Sequence, residues 1–292
     1  MTKKVETSAE NIVRSLVKVR LTICSWNGKY ISQALSKEIE AQKNAASGSV
    51  DANIVYLPER YSKPVTVAAS RLRAYWNEYT LPWENDSWRI IPSRKYQDLM
   101  DGTMERKHTF EEAAFEIIAN YADVYESSKI KLATLFDARK FPSKDQLESK
   151  YNVYIYRNSV NAANDVRIDG LDEAVISDIR KNVTQQYGEQ IGVAIESILD
   201  RLRDVAKDIV ERTSKPAEGL KFATLLNKIK KTCDSLDGLN IIGDTRIDEL
   251  INKMRLTTSE RDADMLRVND NERQDMKKQA KDILNALDTF GG

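Results

Sequence analysis

The chain is poor in the residues most enzymes lean on. It has one histidine, two cysteines, six prolines and eleven glycines in 292 residues, and its 45 basic and 45 acidic side chains cancel. A single histidine, His108, excludes histidine-rich metal clusters and makes any Ser/His/Asp arrangement depend on that one side chain. No Gly-x-Ser-x-Gly surrounds a serine. Neither Gly-x-x-x-x-Gly-Lys-Ser/Thr nor Gly-x-Gly-x-x-Gly occurs, so the usual phosphate loops are missing. With no net charge, a basic field over the whole protein cannot recruit nucleic acid, and any such binding must come from a local patch. No apolar run approaches the ~20 residues of a membrane span. Cys24 and Cys233 each sit in an apolar pattern and read as buried free thiols of a reducing compartment. The N-terminal residues lack the apolar stretch of a signal peptide. The expected location is therefore the cytoplasm, with no membrane partner and no cofactor.

What is present is apolar content arranged in periods. A hydrophobic share of 41% with 31% charged residues and little glycine or proline favours helix over sheet. Residues 1–10 are polar and read as loose. Val17 to Trp26 alternates strictly, with Lys18, Arg20, Thr22 and Cys24 opposed to Val17, Val19, Leu21 and Ile23, which predicts a half-buried strand closed by Asn27-Gly28. A helix is expected over Tyr30–Ala46. Pro58 and Pro64 argue for irregular or extended chain over 53–67, and helical spacing then runs from Val67 to Tyr79. Trp88 to Pro92 reads as a short strand. Thr109/Glu112 and Ser143/Gln146 both carry the S/T-x-x-E/Q signature that opens helices. Tyr151 to Val160 alternates again and predicts a second strand able to pair with the first.

After an Asn/Asp/Gly-rich stretch at 161–172 the chain reads as all helix. Ile191, Ile195, Ile198, Leu202, Val205 and Ile209 follow a 4-3 apolar spacing, as do Phe222, Leu226, Ile229, Cys233 and Leu236, and then Met276, Ala280, Ile283 and Leu287. The first two runs predict an antiparallel hairpin. The expected architecture is α+β and mainly helical: a mixed region over 1–165 with a small sheet, and a coiled-coil-like helical region over 166–292. Three seams exceed what one hairpin needs, so Ile195, Ile198, Leu202, Val205, Ile283 and Leu287 are expected to bury surface against a second copy in a homo-oligomer.

One segment concentrates chemistry. Between Tyr56 and Tyr96 lie three of the four tryptophans, Trp76, Trp83 and Trp88, among many tyrosines. Arg71, Arg73, Arg89, Arg94 and Lys95 are interleaved with them. Aromatic faces stack bases and cations hold phosphates, which suits single-stranded nucleic acid. The same rings are equally good core anchors, and Glu59, Glu78, Glu84 and Asp86 dilute the charge. Elsewhere, the acidic pairs Asp262/Asp264 and Asp270/Glu272 have the residue types of a two-metal site, but they lie in a stretch rich in arginine and lysine and read as a solvated face.

Arg71 followed by Tyr79-Thr80-Leu81-Pro82-Trp83, then Ile91-Pro92 and Tyr96, resembles the "TLPW … LLP … Y" core of a domain-of-unknown-function family encoded in phages, plasmids and integrating conjugative elements. The likeness continues through Phe141-Pro142-Ser143 and Leu239-Asn240-Ile241, covering roughly residues 15–255. Members are commonly encoded near a MoxR-type AAA+ ATPase, a von Willebrand A-domain protein and single-strand annealing recombinases. No catalytic residue carries over. The resemblance implies an accessory role in phage or mobile-element DNA metabolism, through a protein partner such as the AAA+ ATPase. A structural component of a phage particle or tube, and a single-stranded DNA binding or annealing protein, remain alternatives.

Overall fold

A computed structural model describes residues 9–85, 87–218, 220–259 and 261–290. Most of the loose stretch expected over 1–10, and Asp86, lie outside these residues. The chain is 66% helical with a small antiparallel sheet, a mainly helical α+β protein. Among the described residues no helix is long and apolar enough to cross a membrane.

The elements run in the order β1 (Leu16–Cys24), β2 (Lys29–Ile31), α1 (Gln33–Lys43), β3 (Asn53–Val55), α2 (Glu59–Glu78), β4 (Leu81–Trp83) and β5 (Trp88–Pro92). They continue with α3 (Tyr96–Ala119), α4 (Tyr121–Leu132), α5 (Lys144–Glu148), β6 (Asn152–Ser159), α6 (Glu173–Thr213), α7 (Phe222–Leu236), α8 (Thr245–Leu256), α9 (Ala263–Val268) and α10 (Asp270–Asp288). The four-stranded sheet has the order β4-β5-β1-β6, so the two alternating segments are neighbours, as their patterns predict. Two compact units result. The first comprises Met1–Arg20, Trp76–Leu99 and Tyr156–Gly292, the second Leu21–Tyr75 and Met100–Ile155. The chain last passes from one unit to the other inside β6, and everything from 166 onward belongs to the first.

In the first unit, β1 and β5 are antiparallel with Val17 opposite Ile91 and Val19 opposite Arg89. The long helix α6 starts at Asp172, whose side chain accepts from the Val175 N–H, leaving one fewer helix-end donor unsatisfied. Its buried stripe of Ile191, Ile195, Ile198, Leu202, Val205 and Ile209 packs against α7, α8 and, most extensively, α10. The period located the stripe, but its main partner is the last helix rather than the next one. On α7 the buried residue is Leu225 and not Leu226.

The second unit is built around aromatics. Tyr56, Phe110, Phe141, Trp26 and Tyr151 share one buried cluster, with edge-on contacts between Trp26 and Phe141 and between Tyr30 and Tyr56, each at 5.3 Å. Gly28, at φ +63, turns the chain where any Cβ would lie 2.6 Å from the Leu57 side chain, so only glycine fits.

Three local expectations change. Tyr30 belongs to a strand, opposite Ile54, and the helix begins only after Ser32, whose hydroxyl accepts from the Leu35 N–H. Pro64 lies inside α2. It is the sixth residue of that helix, where a proline gives up the hydrogen bond to the Arg60 carbonyl and crowds it, a cost of about 3 kcal/mol that the packing of the rest of α2 outweighs. Thr109 does not open a helix. It sits inside α3, and its hydroxyl donates back to the Glu105 carbonyl at 3.2 Å. Ser143 and Gln146, with the same type of signature, do form the reciprocal capping box.

Candidate nucleic-acid interface

The strict alternation of β1 puts Lys18 and Arg20 on one side of the strand. In the first unit this side meets Trp88 from β5 and Tyr156 from β6. The Arg20 guanidinium lies 5.0 Å from the Trp88 ring centroid and 4.4 Å from that of Tyr156. The Lys18 ammonium stands 4.8 Å from the same Trp88 ring. Three neighbouring strands thus carry a ladder of ring, cation and ring. Each contact stabilises by about 0.5–2 kcal/mol. A guanidinium stacked through its flat faces keeps its N–H edge for a planar anion. Arg20 Nε is buried and has no hydrogen-bond partner among the described residues, and Tyr156 is 41% exposed.

The rim of this face is fixed by the β4–β5 hairpin. Glu84 adopts a left-handed φ of 56°, an unusual conformation for a residue with a Cβ. Its N–H donates to Gln190 Oε1 at 2.6 Å, and its carboxylate pairs with Lys18 at 2.9 Å. Beside it the Trp83 ring packs at 5.8 Å from Tyr187, whose hydroxyl donates to the Asn161 carbonyl. Burial, and then the Glu84 charge, raise the Tyr187 pKa and keep that hydroxyl a donor.

The residues singled out from the sequence do not form one patch. Trp83 is 1% exposed and serves the core. Arg89 is turned inward: Nε donates to the Thr80 hydroxyl at 2.5 Å and Nη2 to the Thr80 carbonyl at 2.8 Å. Burial, with Arg201 adding repulsion, pushes its pKa down to about 10. Arg94 donates to the Gly238 carbonyl at 3.1 Å, and Lys95 pairs with Asp98 at 3.5 Å. Arg71 and Arg73 are exposed and belong to the second unit. Only Trp88 joins the ladder. Lys18, Arg20 and Tyr156 lay outside the segment, although the alternation of β1 and β6 had already placed them on common strand faces.

The six seam residues Ile195, Ile198, Leu202, Val205, Ile283 and Leu287 are at most 8% exposed within the single chain. Their apolar surface is consumed by α6, α7, α8 and α10 of the same molecule, so they are not available to a second copy. The acidic pairs are engaged locally. Asp262 caps α9, accepting from the Asp264 and Met265 N–H groups. Asp264 pairs with Arg267, Asp270 with Arg273 at 2.8 Å, and Glu272 with Arg261 at 3.0 Å. His108 stands on the exposed side of α3, 3.2 Å from Glu112. Cys233 is buried, and Cys24 is partly exposed.

Comparison with protein-family models, with curated proteins and with solved structures finds no match.

Proposed function

We propose that the protein works by binding rather than by chemistry, as an accessory component of phage or mobile-element DNA metabolism in the cytoplasm of a bacterial host. Its binding face is the sheet surface of Lys18, Arg20, Trp88 and Tyr156, and the ligand is single-stranded nucleic acid. The observation that carries this reading is Arg20, stacked between Trp88 and Tyr156 on a sheet face where Tyr156 is 41% exposed. The exposed Tyr156 offers ring surface to a base of any sequence, while Arg20, and Lys18 once it exchanges Glu84 for a phosphate, hold the backbone. The resemblance around Tyr79-Thr80-Leu81-Pro82-Trp83 supports the setting in DNA metabolism.

Fluorescence anisotropy of labelled oligothymidylate tests this. Binding should weaken steeply as salt rises, because each neutralised phosphate releases counterions. Arg20→Ala and Tyr156→Ala should each lower affinity by about 1–3 kcal/mol. An unchanged affinity in both variants, or no binding by the parent protein at low salt, removes the reading.

A second reading is favoured by Leu256, 65% exposed, and Val268, 86% exposed, on the helical part of the first unit. Apolar side chains this open suit a protein partner: a second copy in a homo-oligomer, the AAA+ ATPase, or the von Willebrand A-domain protein. Sedimentation at tens of micromolar with Leu256→Asp and Val268→Asp separates self-association from the rest.

A further inference from the structure

The second unit holds a cavity of about 530 Å³ lined by Cys24, Ser25, Trp26, Asn27, Arg73 and Lys150, among others. Among the described residues, no carboxylate lines it. Arg73 donates to the Ile23 carbonyl at 3.4 Å, and neither Arg73 nor Lys150 makes an ion pair among the described residues. In a chain whose charges balance and whose surface is laced with ion pairs, two unneutralised cations on one cavity are an unfilled demand for an anion. Neutral donors stand beside them. The Ser25 hydroxyl is one. Asn27 uses its Oδ1 to accept the Lys29 N–H at 3.0 Å, which leaves its amide NH2 to donate. Trp26 is 8% exposed and walls the cavity, its indole N–H buried without an acceptor among the described residues.

The wall is held in place before any ligand arrives. The Tyr151 hydroxyl donates to the Trp26 carbonyl at 3.2 Å, which ties the residue after Lys150 to the loop that faces it. The Tyr56 N–H donates to the Gly28 carbonyl at 2.7 Å. Two cations lining one cavity with hydroxyl and amide donors match the oxygen-rich, doubly charged surface of a phosphate group.

We propose that this cavity binds a phosphate group through Arg73 and Lys150. The phosphate comes either from a free phosphorylated small molecule or from the backbone of a nucleic-acid strand. The site is independent of the sheet face, since all of its residues belong to the second unit.

Cys24 provides the probe, because it lines the cavity and is partly exposed while Cys233 is buried. The rate at which iodoacetamide alkylates Cys24 in the full chain is followed by mass spectrometry with inorganic phosphate, pyrophosphate or oligothymidylate. Pyrophosphate is expected to slow the reaction. Arg73→Ala and Lys150→Ala should each raise the concentration needed by about tenfold, with unchanged melting, because both side chains are exposed. Protection by oligothymidylate alone, lost in Arg73→Ala and Lys150→Ala but kept in Arg20→Ala, assigns the phosphate to a strand backbone. No slowing by any of the three, or slowing undiminished in both variants, overturns the proposal.

Discussion

Arg201 donates to the carbonyl of Thr80 at 2.8 Å, and from the same guanidinium to the carbonyls of Glu78 at 2.7 Å and Asn77 at 3.1 Å. Arg89 bonds the Thr80 and Asn77 carbonyls as well, so two cations close the C-terminus of α2. Helix ends leave carbonyls without intrahelical donors and carry partial negative charge, which positive side chains satisfy. Like charges repel, yet burial and not repulsion is the larger cause lowering the Arg89 pKa. Arg201→Ala should cost about 1–3 kcal/mol by urea unfolding, because a charged donor to buried carbonyls is lost. Arg89→Ala should likewise lower stability while leaving oligonucleotide affinity unchanged. A stable Arg201→Ala protein would show that the α2 terminus is satisfied by water instead.

Gly102 lies within α3, where alanine is ordinarily better by about 1 kcal/mol. Here a Cβ would lie 2.0 Å from the Tyr75 hydroxyl oxygen, and the Tyr75 ring stacks under Arg106 at 3.9 Å. Gly102→Ala should therefore destabilise, against the helix propensity, with a drop of several degrees in melting temperature. A rise in melting temperature would mean that Tyr75 moves aside at no cost.

How far the sequence could be read depended on range. Period-2 alternation found β1 and β6, because one buried face per strand leaves a local signature, and the sheet order makes them neighbours, the pairing their patterns allowed. Spacing of 4-3 found Ile198 and Leu202, but an apolar stripe does not say which helix covers it, and α10 did so here. The same capping signature gave a helix start at Ser143 and none at Thr109, since the chain before Thr109 was already helical. The aromatic and basic segment misled for a related reason. Closeness in sequence is not closeness in space: Trp83 and Arg89 turned inward, whereas Arg20 and Tyr156, far apart in the chain, came within 4.4 Å. Arg73, singled out in the aromatic and basic segment, shares a cavity with Lys150, which nothing in the sequence placed beside it.

Cys233 is fully buried, with its thiol 3.8 Å from the Ile251 carbonyl. Burial pushes its pKa up from 9.0 to about 11. The folded state then holds the proton more tightly than the unfolded one. The contribution is complete below pH 9 and is lost as pH rises through 11. Melting temperature measured between pH 8 and 11 should fall more steeply for the parent than for Cys233→Ala, the difference corresponding to about 1–2 kcal/mol. Parallel curves would place the alkaline sensitivity on other groups, Tyr151 first, whose pKa burial also raises.

Ile198 and Leu202 are 0% exposed. An aspartate at either position buries an unpaired charge and should cost several kcal/mol, of the order of 3–5 kcal/mol. Since these side chains are covered by the chain's own helices, the loss should appear in the unfolding free energy and be independent of protein concentration. A melting temperature that rises with concentration in the parent, and no longer does so in Leu202→Asp, would restore the seam to an interface between copies.

Trp83 and Trp88 face each other across the β4–β5 hairpin, yet they should answer the same substitution differently. Trp83 is 1% exposed and packs on Tyr187, so Trp83→Ala empties a large core site and should cost about 3–5 kcal/mol. Trp88 is half-buried beneath Lys18 and Arg20. Its loss should remove two cation–ring contacts, about 1–2 kcal/mol, and leave the fold intact. Binding should reverse the order. At matched folded fractions, Trp83→Ala should bind oligothymidylate like the parent, while Trp88→Ala should bind it more weakly, because Lys18 and Arg20 lose the ring that positions them. Melting temperature and anisotropy on the same two variants read both effects. If Trp88→Ala melts as early as Trp83→Ala and binds as well as the parent, the Trp88 ring is a strut of the sheet, and the nucleic-acid face has to be sought elsewhere.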